Sequence, residues 1–123
     1  MDLANYRSAS LFYAAKSRAK KKKLEFTITR EWVYKKLLSG TCEVTNFVLV
    51  LTSIGEVKAT KKTNPYAPSL DRKDSSLGYT PDNTQIVINA VNKFKSDMKQ
   101  FEMIDIAKAI LDKHISKRQF ITT

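Results

Sequence analysis

"PSLDRKDSSLGYTPDNTQIVINAVNKF", Pro68 to Phe94, changes rhythm three times. "PSLDR" is short and extended. "KDSSLGYTPD" is a loop marked by Gly78 and Pro81, and "NTQIVI" is a β-branched strand. "NAVNKFKSD" then opens a helix whose Val91, Phe94 and Met98 fall on an inward stripe. The order strand, loop, strand, helix places Asp71 at the end of one strand and Asn92 on the helix that follows. Hard divalent cations such as magnesium take oxygen ligands, chiefly carboxylates, amide carbonyls and backbone oxygens. Asp71 and Asn92 therefore form a candidate ligand pair across a ββα unit, with Asn83 on the loop, placed to fix it or to orient a water. Taken singly these residues are ordinary: an Asp beside an Arg is usually a surface pair, and Asn beside Pro-Asp usually marks a turn.

Outward from this stretch, residues 3–22 read as a helix with Leu3, Tyr6, Leu11, Ala14 and Ala15 along one stripe and Arg7, Lys16 and Arg18 among the polar positions. It ends in "KSRAKKKK", where like charges repel and are expected to fray the last turn unless a polyanion neutralises them. "LEFTIT" alternates briefly. Thr29 caps a second helix, "REWVYKKLLSG", with Trp32, Val33, Leu37 and Tyr34 on its buried side and Gly40 closing it. "FVLVLTSIGEVKAT" reads as two strands around a Ser-Ile-Gly turn, and "KKTNPYAP" as a basic loop. In the last helix Phe101, Ile104, Ala107, Ile110 and Leu111 recur at three- and four-residue steps, which reads as core. His114, the single histidine, lies late on that helix and is expected to be a helix-end residue.

The chain of 123 residues carries a net charge of +10 and is 42% hydrophobic, which suits one domain with a modest core. Residues 1–36 hold ten Lys/Arg against three Asp/Glu, and residues 37–123 hold twelve against nine. Two sections follow: residues 1–40, a basic helical arm with the second helix, and residues 41–123, the site-bearing core with its terminal helix. Excess positive charge on this scale favours phosphate polyanions through counterion release. The expected contacts are Lys16, Arg18, Lys20, Lys21, Lys22, Lys23, Lys61, Lys62, Lys73 and Lys93. No stretch approaches the roughly 20 apolar residues of a membrane span. The first residues place charge after the apolar part, the reverse of a secretory signal. With Cys42 as the lone cysteine, no internal disulfide and no zinc ribbon can form. The expectation is a soluble, cytoplasmic protein that does not engage a membrane.

Asp71-Arg72, Asn83 and Asn92, set in "PSLDRKDSSLGYTPDNTQIV" followed by "AVNKFKSD", resemble the HNH endonucleases of the His-Me finger (ββα-metal) superfamily. The run is similar to "PSLDRID-S-GYTPDN" in small phage and prophage proteins, and the nine-residue step from Asn83 to Asn92 matches the family's spacing. "FTITREWVYKKLLSGTCEVT" resembles the segment upstream of the motif more loosely, and together the likeness covers about residues 16–111. It implies an α+β fold with a ββα-metal core, flanking helices and a basic N-terminal arm. It further implies phage or prophage origin, hydrolysis of phosphodiesters in DNA, and magnesium or manganese as cofactor without structural zinc. Asp71 would be the metal-binding aspartate, Asn92 the helical ligand and Asn83 the middle asparagine.

Arg72 falls where most of the superfamily carries its base histidine. A guanidinium has no lone pair with which to take a proton, but it can donate a bidentate pair of hydrogen bonds to phosphate. Three readings stay open. Asp74 acts as base, or cleavage proceeds slowly without a dedicated base, or the chain binds nucleic acid on an HNH scaffold without cutting it. A phage protein acting by binding a host protein is a further alternative. Retention of Asp71 and Asp74 in so basic a protein favours a metal, since bare carboxylates would repel phosphate.

Overall fold

In the computed structural model, residues 2–51 and 64–122 are described, with side chains as far as residue 115. The order is α1 (Leu3–Lys22), α2 (Arg30–Ser39), β1 (Pro68–Arg72), β2 (Thr84–Ile88), α3 (Asn89–Lys95) and α4 (Gln100–Thr122). This is a small α+β protein built on a ββα unit. β1 and β2 pair antiparallel with Pro68 opposite Ile88, Leu70 opposite Ile86, Asp71 opposite Gln85 and Arg72 opposite Thr84. The elements read from residues 68–97 are all present.

α1 begins where Asp2 accepts from the Asn5 amide at 3.1 Å. Its lysine-rich end does not fray as expected. The helix continues through Lys22, and Lys23 turns left-handed (φ 56°) so that the Leu24 amide reaches the Ala19 carbonyl at 2.9 Å. That closure satisfies carbonyls at the end most crowded with like charge. The buried face also differs from the stripe expected: Ala4, Ser8, Ala15 and Ala19 are buried, with Leu11 partly so, while Tyr6 and Ala14 are exposed. Small residues face inward because α1 packs closely on α2. In α2 the Trp32 amide bonds to Thr29 Oγ1 at 3.0 Å, and Gly40 closes the helix at φ 83°. Val33 and Leu37 are buried, with Trp32 and Tyr34 half-buried.

Residues 47–51 were expected to be a strand and form none; Val48 makes a single bridge to Thr41. The turn lies just before, at residues 43–45, and is closed by the Cys42 amide on the Phe47 carbonyl at 2.8 Å. The partner segment in that expectation lies outside the described residues. The turn has another use. Glu43 donates its amide to the Ile86 carbonyl at 2.9 Å, and its carboxylate accepts from the Ile86 amide at 2.6 Å. One residue thereby covers the edge of β2, all five of whose residues are buried. A single core joins Ala15, Ala19, Ile28, Val33 and Leu37 to Cys42, Leu70, Tyr79 and Ile86–Ile88.

The α4 stripe expected in the core is instead on the surface: Phe101, Ile104, Ile110 and Leu111 are about half exposed, and Met103 is the side chain that α4 buries. α4 contacts α3 and, through Gln100, Gln85 of β2, and from residue 104 to residue 115 its side chains are exposed. In α3, likewise, Phe94 is exposed where it was expected inside, and Lys95 is buried. His114 is exposed on α4.

The loop between β1 and β2 is tied to the segment after α1. Tyr79 donates its amide to the Glu25 carbonyl at 2.8 Å and accepts from Thr27 at 2.9 Å. Gly78 permits the approach, since a Cβ there would lie 2.1 Å from the Glu25 oxygen. Neither backbone can yield without losing those bonds. Gly78→Ala is therefore expected to destabilise the protein by about 1–3 kcal/mol, the usual range for forced overpacking. A thermal melt indistinguishable from wild type would show that the two segments are not held together this way.

Candidate active site

Four elements meet at an open cavity of about 420 Å³. β1 supplies Ser69, Asp71 and Arg72, α3 supplies Asn92, the loop supplies Ser75 and Tyr79, and α1 supplies Arg18. The volume lies within the range of ordinary ligand clefts. Asp71 and Asn92, the pair expected to hold a cation, thus line one cavity, with Arg72 beside them.

Asp71 is buried, 4% exposed, and both carboxylate oxygens have partners. Oδ1 lies 3.3 Å from the Lys95 ammonium, and Oδ2 accepts from Gln85 Nε2 at 2.9 Å. Gln85 stands directly opposite Asp71 in the hairpin, and its Nε2 also reaches Gln100 at 2.6 Å. Lys95 is 0% exposed and donates in addition to the Arg72 carbonyl at 2.7 Å. Asn92 and Lys95 are three positions apart on α3, so both face β1. Asn92 donates through Nδ2 to Ser69 Oγ at 2.6 Å and to the Leu70 carbonyl at 3.4 Å. The amide carbonyl is left as its remaining polar group.

This donor set fits a magnesium-type ion. A carboxylate has about four lone-pair sites, and Asp71 uses one on each oxygen. Magnesium commonly takes one or two carboxylates and completes its shell with water and substrate phosphate. Asp71 and Asn92 meet that pattern in the wall of the cavity. Among the described residues no group of three or more His, Cys, Asp or Glu is gathered as a closed site would need.

Asn83 stands outside the cavity. Its Oδ1 accepts from the Asp74 amide at 3.0 Å, and Nδ2 donates to the carbonyls of Asp74 (3.1 Å) and Gly78 (2.8 Å). It ties the loop across its base. Asp74, expected as a base, does not line the cavity. Its carboxylate takes the hydroxyl and amide of Ser76 at 2.6 and 2.9 Å, and these bonds, the hydroxyl's first, hold it below the usual carboxylate range. Both effects weaken it as a proton acceptor. Arg72 is first a loop brace: Nη1 donates to the carbonyls of Ser75 (2.5 Å) and Leu77 (3.1 Å). Among the described residues Nη1 alone is engaged by hydrogen bonds, and the group's carbon lies 5.3 Å from the Tyr79 ring centre.

Tyr79, Gln85 and Lys95 escaped the reading of the sequence. Tyr79 is 3% exposed, and its hydroxyl oxygen accepts from Arg18 Nε at 3.1 Å. Arg18 and Arg72 both lie within 6 Å of its ring centre. The i, i+3 step from Asn92 to Lys95 was the one available signal for Lys95, since it puts a lysine on the ligand's own face. Tyr79 carried no such signal, because its place depends on the docking of the loop against Glu25.

Of the basic residues expected to meet phosphate, Lys16, Arg18, Lys20, Lys21, Lys22 and Lys23 are exposed along the second half of α1 and its cap, and Lys73 and Lys93 are exposed but do not line the cavity, each following a residue that does, Arg72 and Asn92. Lys61 and Lys62 lie outside the described residues. Because Arg18 reaches the cavity, the lysine run continues from the site itself. Replacing Lys20–Lys23 with glutamine is expected to weaken DNA binding and to reduce the slope of log K against log salt by up to about 3–4. Equal affinity at low salt would reduce the run to a solvated helix end.

No protein-family model matches the chain, and no curated protein matches it. Among solved structures it is similar in fold to the rare-cutting HNH restriction endonuclease PacI, with a TM-score of 0.60 and 21% identity over 89% of this chain and 80% of that one. The likeness is one of fold. No helix among the described residues is long and apolar enough to cross a membrane.

Proposed function

We propose that the chain is a metal-dependent nuclease of HNH type that hydrolyses phosphodiester bonds in DNA. The observation that carries the reading is the convergence of Asp71, Asn92, Arg72 and the Arg18–Tyr79 pair on one cavity, at the end of a helix run rich in lysine. The ββα fold shared with an HNH restriction endonuclease supports it.

Asp71 and Asn92 would hold the divalent ion, magnesium or manganese. When bound, that ion supplies charge neutralisation at the scissile phosphate and at the departing 3′ oxygen. The remaining work falls to the chain's own groups. Arg72 and Arg18 place two guanidiniums at the rim, where they donate to the phosphate oxygens and hold the phosphorus for attack. Arg72 cannot take the proton of the attacking water. Asp74 is turned onto Ser76, and both Asp71 oxygens are bonded to Lys95 and Gln85. The Tyr79 oxygen, fixed by Arg18 within the cavity, would take that proton only as the phenolate, which the proton converts back to the phenol.

Non-cleaving nucleic-acid binding is the second reading. It is favoured by the Lys95–Asp71 ion pair, which satisfies the carboxylate without a metal. Plasmid nicking separates the two: supercoiled DNA is expected to be nicked with magnesium or manganese and to stay intact in EDTA. Retarded but uncut plasmid under all three conditions would leave only the binding reading.

A further inference from the structure

Lys95 is the unusual group in the site. A fully buried lysine is rare unless paired, and this one is held at two points on β1, by the Asp71 carboxylate at 3.3 Å and the Arg72 carbonyl at 2.7 Å. The second bond matters because a backbone carbonyl cannot move away. The ammonium is therefore anchored behind Asp71 whether or not a cation is present.

We propose that Lys95 is a built-in counter-ion of the metal site. It holds the Asp71 carboxylate in place in the metal-free protein and lowers the site's affinity for a divalent cation until a phosphate arrives. This rests on the reading of Asp71 and Asn92 as the cation's ligands. Charge decides the matter. Arg18, Arg72 and Lys95 stand against Asp71 and Asp97 around the cavity, a surplus of one positive charge before any cation enters. A dication on Asp71 adds two more within a few ångströms of the ammonium, and like charges at that range are only partly screened in a buried setting. A phosphodiester brings the negative charge that offsets them. Cation and nucleic acid therefore bind with positive coupling, each raising the other's affinity by the same factor. A further consequence is that Asp71 is satisfied by Lys95 and Gln85, so the fold does not depend on a metal.

The test is manganese binding by titration calorimetry, with thermal melts in EDTA and in manganese, and it needs no cleavage. Wild type is expected to bind manganese weakly without DNA, with little change in Tm. Lys95→Met removes the competing charge and leaves Asp71 buried without its partner. It should melt lower than wild type in EDTA, recover with manganese, and bind manganese about tenfold or more tighter. Asp71→Asn/Lys95→Met, with both charges removed, should fold and show neither the recovery nor the gain, which places the cation at Asp71. Should Lys95→Met fail to fold in EDTA, Lys95→Gln applies the same criterion while keeping a donor side chain. Manganese affinity no higher than wild type in the folded lysine variant overturns the proposal, as does a gain that persists without the Asp71 carboxylate. A protein that shows the gain yet nicks no plasmid keeps the counter-ion and loses the nuclease. One that nicks plasmid without the gain does the reverse.

Discussion

Asp71→Ala is expected to abolish metal-dependent nicking and, separately, to cost about 3–5 kcal/mol of stability, the range for removing one partner of a buried ion pair. The two losses have different origins. Alanine deletes the carboxylate proposed to hold the cation, and it also leaves Lys95, 0% exposed, with a buried ammonium whose one remaining acceptor is the Arg72 carbonyl. Nicking by this variant alone would therefore say little, since an unfolded protein does not cut. Asp71→Asn separates the effects. Its amide oxygen can still accept from Lys95 or Gln85 while the formal charge is gone, so the fold should survive better than the activity. Urea denaturation beside plasmid nicking reads both. If Asp71→Asn stays folded and nicks at the wild-type rate, Asp71 is a structural anion and not a metal ligand.

The ββα unit was legible because its signals are local. The β-branched run before Ile88, the Gly78 and Pro81 marks between the strands, and the helical phase after Asn89 lie within one stretch, and each names its own element. Facing was less legible. Apolar spacing in α4 announces a helix but not what covers it, and Ile104, Ile110 and Leu111 are on the surface rather than in the core. The same rule failed in α3 in the opposite sense. Phe94 was expected inside on hydrophobicity, yet Lys95 holds that place because its two acceptors on β1 outweigh the cost of burial. In α1 Ala15 was placed correctly on the buried stripe, but Leu3, Tyr6 and Ala14 were placed there too, whereas close packing against α2 buries Ala4, Ser8 and Ala19 instead. Each miss concerns a contact distant in sequence, where periodicity carries no information.

Arg72 shows how far the site itself could be read. Its chemistry was legible, because a guanidinium takes no proton wherever it points. Its position was not. The expected phosphate clamp is first the brace of its own loop, with Nη1 spent on the Ser75 and Leu77 carbonyls. Bracing and clamping are compatible, because a fork fixed at one nitrogen presents the others with less freedom to lose. Bracing also sets the height of the loop and hence of the Tyr79 ring, against which the guanidinium lies.

Tyr79→Phe is the sharper test of what replaces the missing base. The ring packs between Arg18 and Arg72 and against Phe26, whose centre is 5.9 Å away, and phenylalanine keeps all of those contacts. Only the hydroxyl goes, and with it the bond from Arg18 Nε. A hydrogen bond from a charged donor contributes at most about 1.5–3 kcal/mol, and Arg18 is otherwise exposed, so the variant should fold and should bind DNA nearly as wild type does. If the Tyr79 phenolate takes the proton of the attacking water, cleavage should fall by about two to four decades with binding preserved, the usual worth of a general base. If the hydroxyl only positions Arg18, Arg18→Ala should reproduce the whole loss. Comparing the two variants therefore assigns the role: a Tyr79→Phe loss that exceeds Arg18→Ala belongs to proton transfer. Wild-type cleavage by Tyr79→Phe would remove the tyrosine from the chemistry, and the slow route without a dedicated base would be the one left.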